Sequence, residues 1–208
     1  MIDIVNSSMQ MAVIFVCEMV AFYDARTKRS RLRLLYGLFL LSIFLGDLWW
    51  VLGMVFYGGN LGYSLIPYIN WKVALLFLIL MMQQYHGEPV FRKPVRKTQW
   101  LIPVFCGFMC AGYMTLGAYL DNVVTAILMS VIIWNAVQRL IEIRKGLTEK
   151  TGDSLLCKMI LIFCALEYAM WTASCLNEPW YNLYYVFDAA ITVCYILFIP
   201  AVRKAVRE

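Results

Sequence analysis

Four carboxylates and one ammonium group lie inside stretches of sequence that are otherwise apolar: Glu18, Asp47, Glu167 and Asp188, with Lys72. Charges in hydrocarbon are expensive, so such positions mark either a functional site or an internal ion pair. Lys72 can neutralise one acid, Asp47 or Asp188, as a structural staple. Three carboxylates then remain without a basic partner. They must protonate, hold a cation, or share hydrogen bonds with each other and with Asn70 or Asn135. The first two solutions suit a proton-coupled carrier or a receptor for a cationic ligand, and the third is structural.

Aromatic residues accompany these groups. Asp47 is followed by Leu48, Trp49 and Trp50, Lys72 is preceded by Tyr68, Asn70 and Trp71, and Glu167 is followed by Tyr168 and Trp171. Partitioning alone gathers Trp and Tyr at membrane interfaces, so part of this set is expected to be interfacial belt. The sequence-based candidate ligand-binding set is Asp47, Trp50, Asn70, Trp71, Lys72, Glu167, Trp171 and Asp188, with Glu18 as a proton-carrying group.

The elements that position them are membrane spans. Of 208 residues, 62% are hydrophobic and 15% charged, against about half and a quarter in an ordinary globular domain. Seven apolar stretches approach the roughly 20 residues that cross a bilayer as a helix: 4–23, 34–57, 65–84, 100–119, 122–143, 156–176 and 181–201. The predicted fold is an all-α polytopic bundle of seven transmembrane helices forming one domain over 1–208. Connections are short, so no soluble output module is expected.

Basic residues set the orientation. They follow span one (Arg26 to Arg33), follow span three (Arg92 to Lys97), surround the link from span five to six (Arg139 to Lys158), and close the chain (Arg203 to Arg207). Among the 18 Lys and Arg, the one left over is Lys72. Asp3, Asp121 and Glu178 fall on the other side. An outside N-terminus and a cytoplasmic C-terminus follow, and the net charge of +5 faces anionic lipid, with no nucleic acid implied. At about 1.5 Å per residue, Glu18, Asp47 and Glu167 lie about 15 Å from the outer ends of their spans, and Lys72 and Asp188 about 10 Å. Five ionisable groups on five helices thus share the outer half to the middle of the membrane. One outward-facing polar and aromatic cavity is the expectation.

Smaller signals complete the reading. Span one lacks a basic n-region and a cleavage site, and is read as a retained helix. The sequon Asn6-Ser7-Ser8 is placed at an unstructured terminus. The seven cysteines are read as small apolar residues, with Cys175 near the outer face. His86, with Glu88 nearby, is read as an interfacial loop residue, and no metal ligands or nucleophile motif accompany it, so neither an enzyme nor a cofactor is expected. Gly107, Cys110, Gly112 and Gly117 in span four are assigned to close helix packing, and Gln138 to Lys145 to a polar helical extension into the cytoplasm.

Spans one to three and five to seven share an orientation because span four inverts the chain. Asp47 with Trp50 matches Glu167 with Trp171, and Pro67-x-x-Asn70 matches Pro179-x-x-Asn182. Such a 3+1+3 duplication would put a binding site on a pseudo-twofold axis. In plan the chain resembles the SWEET sugar transporters and the KDEL-receptor group, although it lacks their Pro-Gln motif, so sugar transport is not implied. Seven helices in this orientation are also similar to rhodopsins, but span seven carries Asp188 where a Schiff-base lysine belongs. Gly46-Asp-Leu-Trp-Trp50 with Pro67-Tyr-x-x-Trp71 resembles the membrane-sensor half of bacterial signalling proteins and small bacterial seven-helix membrane proteins. Two functions are expected: a proton- or cation-coupled transporter of a small solute, or a ligand-binding sensor acting through a cytoplasmic partner or a homo-oligomer. The expected location is a prokaryotic plasma membrane.

Overall fold

The structure is a computed structural model that describes residues 2–58, 65–86, 94, 96–115, 117, 119–146, 152–175 and 183–207. Seven α-helices follow in order: α1 (Ile2–Lys28), α2 (Arg31–Tyr57), α3 (Leu65–His86), α4 (Leu101–Met114), α5 (Tyr119–Arg144), α6 (Gly152–Ser174) and α7 (Leu183–Arg207). A 3-10 turn, Lys97–Trp100, leads into α4. No strand occurs among the described residues. Six of the helices, all but α4, are long and apolar enough to cross a membrane.

Chain reversals are tight where the local chemistry allows. Between α1 and α2 stand only Arg29, with φ of 46°, and Ser30, whose backbone N–H reaches back to the Ala25 carbonyl. That 6→1 bond closes α1 with a left-handed residue at its end, and the Ser30 hydroxyl then caps α2 by accepting from the Arg33 N–H. The basic segment is therefore shared between two helices, with Arg26 and Lys28 at the end of α1 and Arg31 and Arg33 at the start of α2. Between α4 and α5, Gly117 adopts φ of 98°, a region open to glycine, and its carbonyl accepts from the Asn122 side chain at 2.8 Å.

Packing closes six helices into a ring: α1 against α2, α2 against α3, α3 against α5, α5 against α6, α6 against α7, and α7 back against α1, with α7 also touching α2. α4 stands outside this ring on α5, and its Tyr113 hydroxyl bonds the Tyr168 carbonyl and Thr172 of α6. The ring order is that of two three-helix units, α1–α3 and α5–α7, each meeting the other through its first and last helix. The Pro179-x-x-Asn182 half of the proposed repeat, Glu178, Glu88, Pro89 and the glycine-rich turn beyond Gly58 lie outside the described residues.

Exposed positions are apolar on helix after helix, among them Val16 on α1, Leu45 on α2, Leu76 on α3, Ile127 on α5, Ile162 on α6 and Val193 on α7. Polar and charged side chains, including Glu18, Asp121, Asn122, Gln138 and Asp188, are buried. This is the arrangement a lipid surround favours, since the helical backbone satisfies itself and only apolar side chains face hydrocarbon.

One end of the bundle carries the basic residues of α1, α2, α5 and α7, where Arg203 pairs with Asp24 at 2.5 Å. Towards that end a layer of rings fills the centre: Tyr36 and Phe39 of α2, Phe163 of α6, and Tyr195 and Phe198 of α7. The Tyr36 hydroxyl donates to the Tyr195 carbonyl at 2.5 Å. One turn on, α7 continues through Pro200, which leaves the Ile196 carbonyl without its usual N–H.

Candidate functional site

Above the aromatic layer the ring encloses a cavity of about 270 Å³. That is about nine times the share of a water molecule in the liquid, and close to the lower bound of small-molecule pockets. Six helices of the bundle, α2 to α7, and Gln10 of α1 supply its wall. It reaches Ser174, the last residue of α6, and Tyr184, the second of α7, at the end opposite the basic residues.

Seven of the nine sequence candidates line this cavity: Asp47, Trp50, Trp71, Lys72, Glu167, Trp171 and Asp188. Asn70 and Glu18 do not. Asn70 precedes Trp71 and Lys72 by one and two residues, and on a helix each step turns the side chain by about 100°. Glu18 follows Gln10 by eight residues, about 12 Å along α1 and about 80° around it, which takes it away from the wall. Its Oε2 is buried without a hydrogen-bond partner.

Lys72 pairs with neither acid that the sequence suggested. Its Nζ lies 2.7 Å from Asp121 Oδ1, with the two side chains 13% and 7% exposed. Asp121, assigned to the outer connections by its position, instead sits buried in the first turn of α5, where the helix dipole favours an anion. Because α3 lies between α2 and α5, its adjacent residues face opposite neighbours: Lys72 turns to α5 and Trp71 to α2. The Lys72 ammonium also lies 5.6 Å from the Trp171 ring centre and 5.9 Å from that of Tyr68, within cation–π range.

The two central acids receive indole donors. Trp71 Nε1 donates to Asp47 at 3.2 Å, and Trp171 Nε1 donates to Glu167 at 3.3 Å. The two matched segments use indoles differently: Glu167 receives from the tryptophan four residues on in its own helix, whereas Asp47 receives from one on the neighbouring helix. Asp188 accepts from Asn6 at 2.5 Å and from Gln10 at 2.8 Å. α1 is helical from Ile2, so Asn6 belongs to a helix and not to an unstructured end. Sequence reasoning missed Asn6, Gln10, Asp121, Asn122 and Tyr113. The i, i+4 spacing of Asn6 and Gln10 on one helical face was the available signal. Gln138 is likewise buried within α5, so the cytoplasmic extension does not start there. The side chain of His86 lies outside the described residues.

Close approach of α2 and α3 depends on Gly46. A methyl group there would lie 2.7 Å from Trp71 Nε1 and 2.9 Å from its Cδ1. Gly46→Ala is therefore expected to displace the indole, break its bond to Asp47 and cost about 1–3 kcal/mol, the usual range for overpacking. Gly107→Ala, which meets nothing within 4 Å, should gain up to about 1 kcal/mol from helix propensity. Unfolding midpoints of both variants in detergent check the contrast.

Long apolar helices around an internal polar cavity define an integral, multi-pass membrane protein in contact with the bilayer. Compared with protein-family models, curated proteins and solved structures, the chain matches none.

Proposed function

We propose that the chain is a small-solute carrier, coupled to protons or cations, whose substrate occupies the cavity of Asp47, Glu167 and Asp188. One observation carries this reading: three carboxylates from three helices face a single internal space in the bundle, and a packed aromatic layer lies between that space and the basic end. A scaffold has no use for such a space, since filling it with apolar side chains would pack the bundle better. Seven crossings are part of the proposal. The 3-10 turn and α4 together extend about 29 Å, close to the roughly 30 Å of a hydrocarbon core. The basic end then lies in the cytoplasm, the N-terminus outside, and the membrane is a prokaryotic plasma membrane. No catalytic step is assigned.

A ligand sensor is the second reading. It is favoured by α5, which runs unbroken from Thr125, Ala126 and Met129 in the cavity wall to Arg144 at the basic end and would carry a change of cavity shape to a partner. Proteoliposomes made from this chain alone separate the two. Solute uptake that falls at least tenfold in Asp47→Asn and in Glu167→Gln, at equal folded yield, is the expected result. A solute that binds with no flux would transfer the assignment to the sensor.

A further inference from the structure

We propose that the cavity takes a small organic ammonium ion, from a primary amine to a quaternary ammonium group; this rests on the reading of the cavity as a solute site. Its formal charge is the first argument. Asp47, Glu167 and Asp188 face it, and Lys72, the one cation among the described lining residues, is already paired with Asp121. None of the ion pairs seen among the described residues includes Asp47, Glu167 or Asp188. Asp188 has two amide donors, but Asp47 and Glu167 each receive a single indole N–H. An ionised carboxylate offers about four acceptor sites, so both keep unfilled acceptors on the cavity side. Ionised, the three carboxylates would attract a cation and repel an anionic solute.

The walls are the second argument. Trp50, Trp71, Trp171, Tyr68 and Tyr184 line the same space, and aromatic faces attract alkylammonium groups. The protein itself demonstrates the geometry, because the Lys72 ammonium is held by one carboxylate and the faces of Trp171 and Tyr68. A ligand head beside Asp47 or Glu167 would be bound by the same combination. Tyr168 lines the same space and is 8% exposed, with its hydroxyl beside the Cys106 thiol of α4. A bare metal ion fits less well, since no group of three or more His, Cys, Asp or Glu among the described residues is placed to hold one.

The test compares charged probes with neutral ones of the same shape on the purified full chain in detergent. Choline is paired with 3,3-dimethylbutan-1-ol, tetramethylammonium with neopentane-like alcohols of equal size, and butylamine and 1,4-diaminobutane with the matching alcohols. Binding is read by calorimetry and by the unfolding midpoint, which a ligand of the folded state raises. At least one cation should bind tenfold or more tightly than its neutral partner and lose tenfold or more in Glu167→Gln. The comparison on the unsubstituted protein stands even if that variant fails to fold. Equal or tighter binding of neutral or anionic probes would overturn the ammonium assignment and leave the cavity as a solute site. Failure of every probe of any charge to bind would overturn the assignment together with the reading beneath it.

Discussion

Replacing Lys72 by Met is expected to lower stability in detergent by about 3–5 kcal/mol, the cost of leaving one member of a buried ion pair uncompensated. The pair with Asp121 spans 2.7 Å and both side chains are largely hidden. Asp121 Oδ2 is buried with no hydrogen-bond partner, so no second donor is in place to take over. The companion change Asp121→Asn should restore most of the loss, because it removes the stranded charge. Asp47→Asn should restore none, although the sequence alone offered Asp47 as the partner. Unfolding of the parent, the single variants and the two double variants decides between these partners. Additive losses in Lys72→Met with Asp121→Asn would show that the observed pair does not couple the helices.

That contrast shows where sequence reading reached and where it stopped. Hydropathy and length carried the class, an all-helical membrane bundle, because a run of apolar residues has few alternatives to a spanning helix. Depth was legible too: counting residues from span ends placed Asp47, Lys72, Glu167 and Asp188 at levels that do share one cavity. Direction around the helix was not. A period of 3.6 identifies a buried face only when the opposite face is polar, and in lipid the outer face is apolar as well. Glu18 therefore lies off the cavity wall, and Asp121, near a span end, read as a connection. α4 shows a related limit, since its 14 residues end at Met114, five short of the apolar stretch. Apolar composition continues through Gly117, but the backbone turns there.

The cavity and the aromatic layer below it form one mechanical unit. Phe163 and Tyr195 belong to both, lining the cavity and packing on Phe39. In the carrier reading proposed above, a solute moving onward would have to pass this layer, which draws on α2, α6 and α7, the helices that also carry Asp47, Glu167 and Asp188. Pro200, within α7, lies near the same rings, about one turn beyond the Tyr195 carbonyl that Tyr36 holds. On the carrier reading, occupation of the acids and opening of the layer would thus fall on the same three helices, as alternating access requires.

Phe39→Ala is accordingly expected to have the second large effect. Phe39 is fully buried and meets Tyr36, Phe163, Tyr195 and Phe198 at ring-centre distances of 5.6–6.1 Å. Truncating a buried phenylalanine costs about 3–5 kcal/mol, here through lost dispersion contacts, because lipid offers the ring an equally apolar surround. Phe108→Ala, on a side chain 74% exposed, should change stability by less than about 0.5 kcal/mol. The void at Phe39 would also join the floor of the cavity, so vesicles containing the variant should leak protons faster than those containing the parent. Phe39→Leu, which keeps most of the volume, should restore the seal before it restores full stability. A stable Phe39→Ala protein in tight vesicles would mean that the barrier lies elsewhere in the bundle, and the path from cavity to basic end would have to be redrawn away from α2.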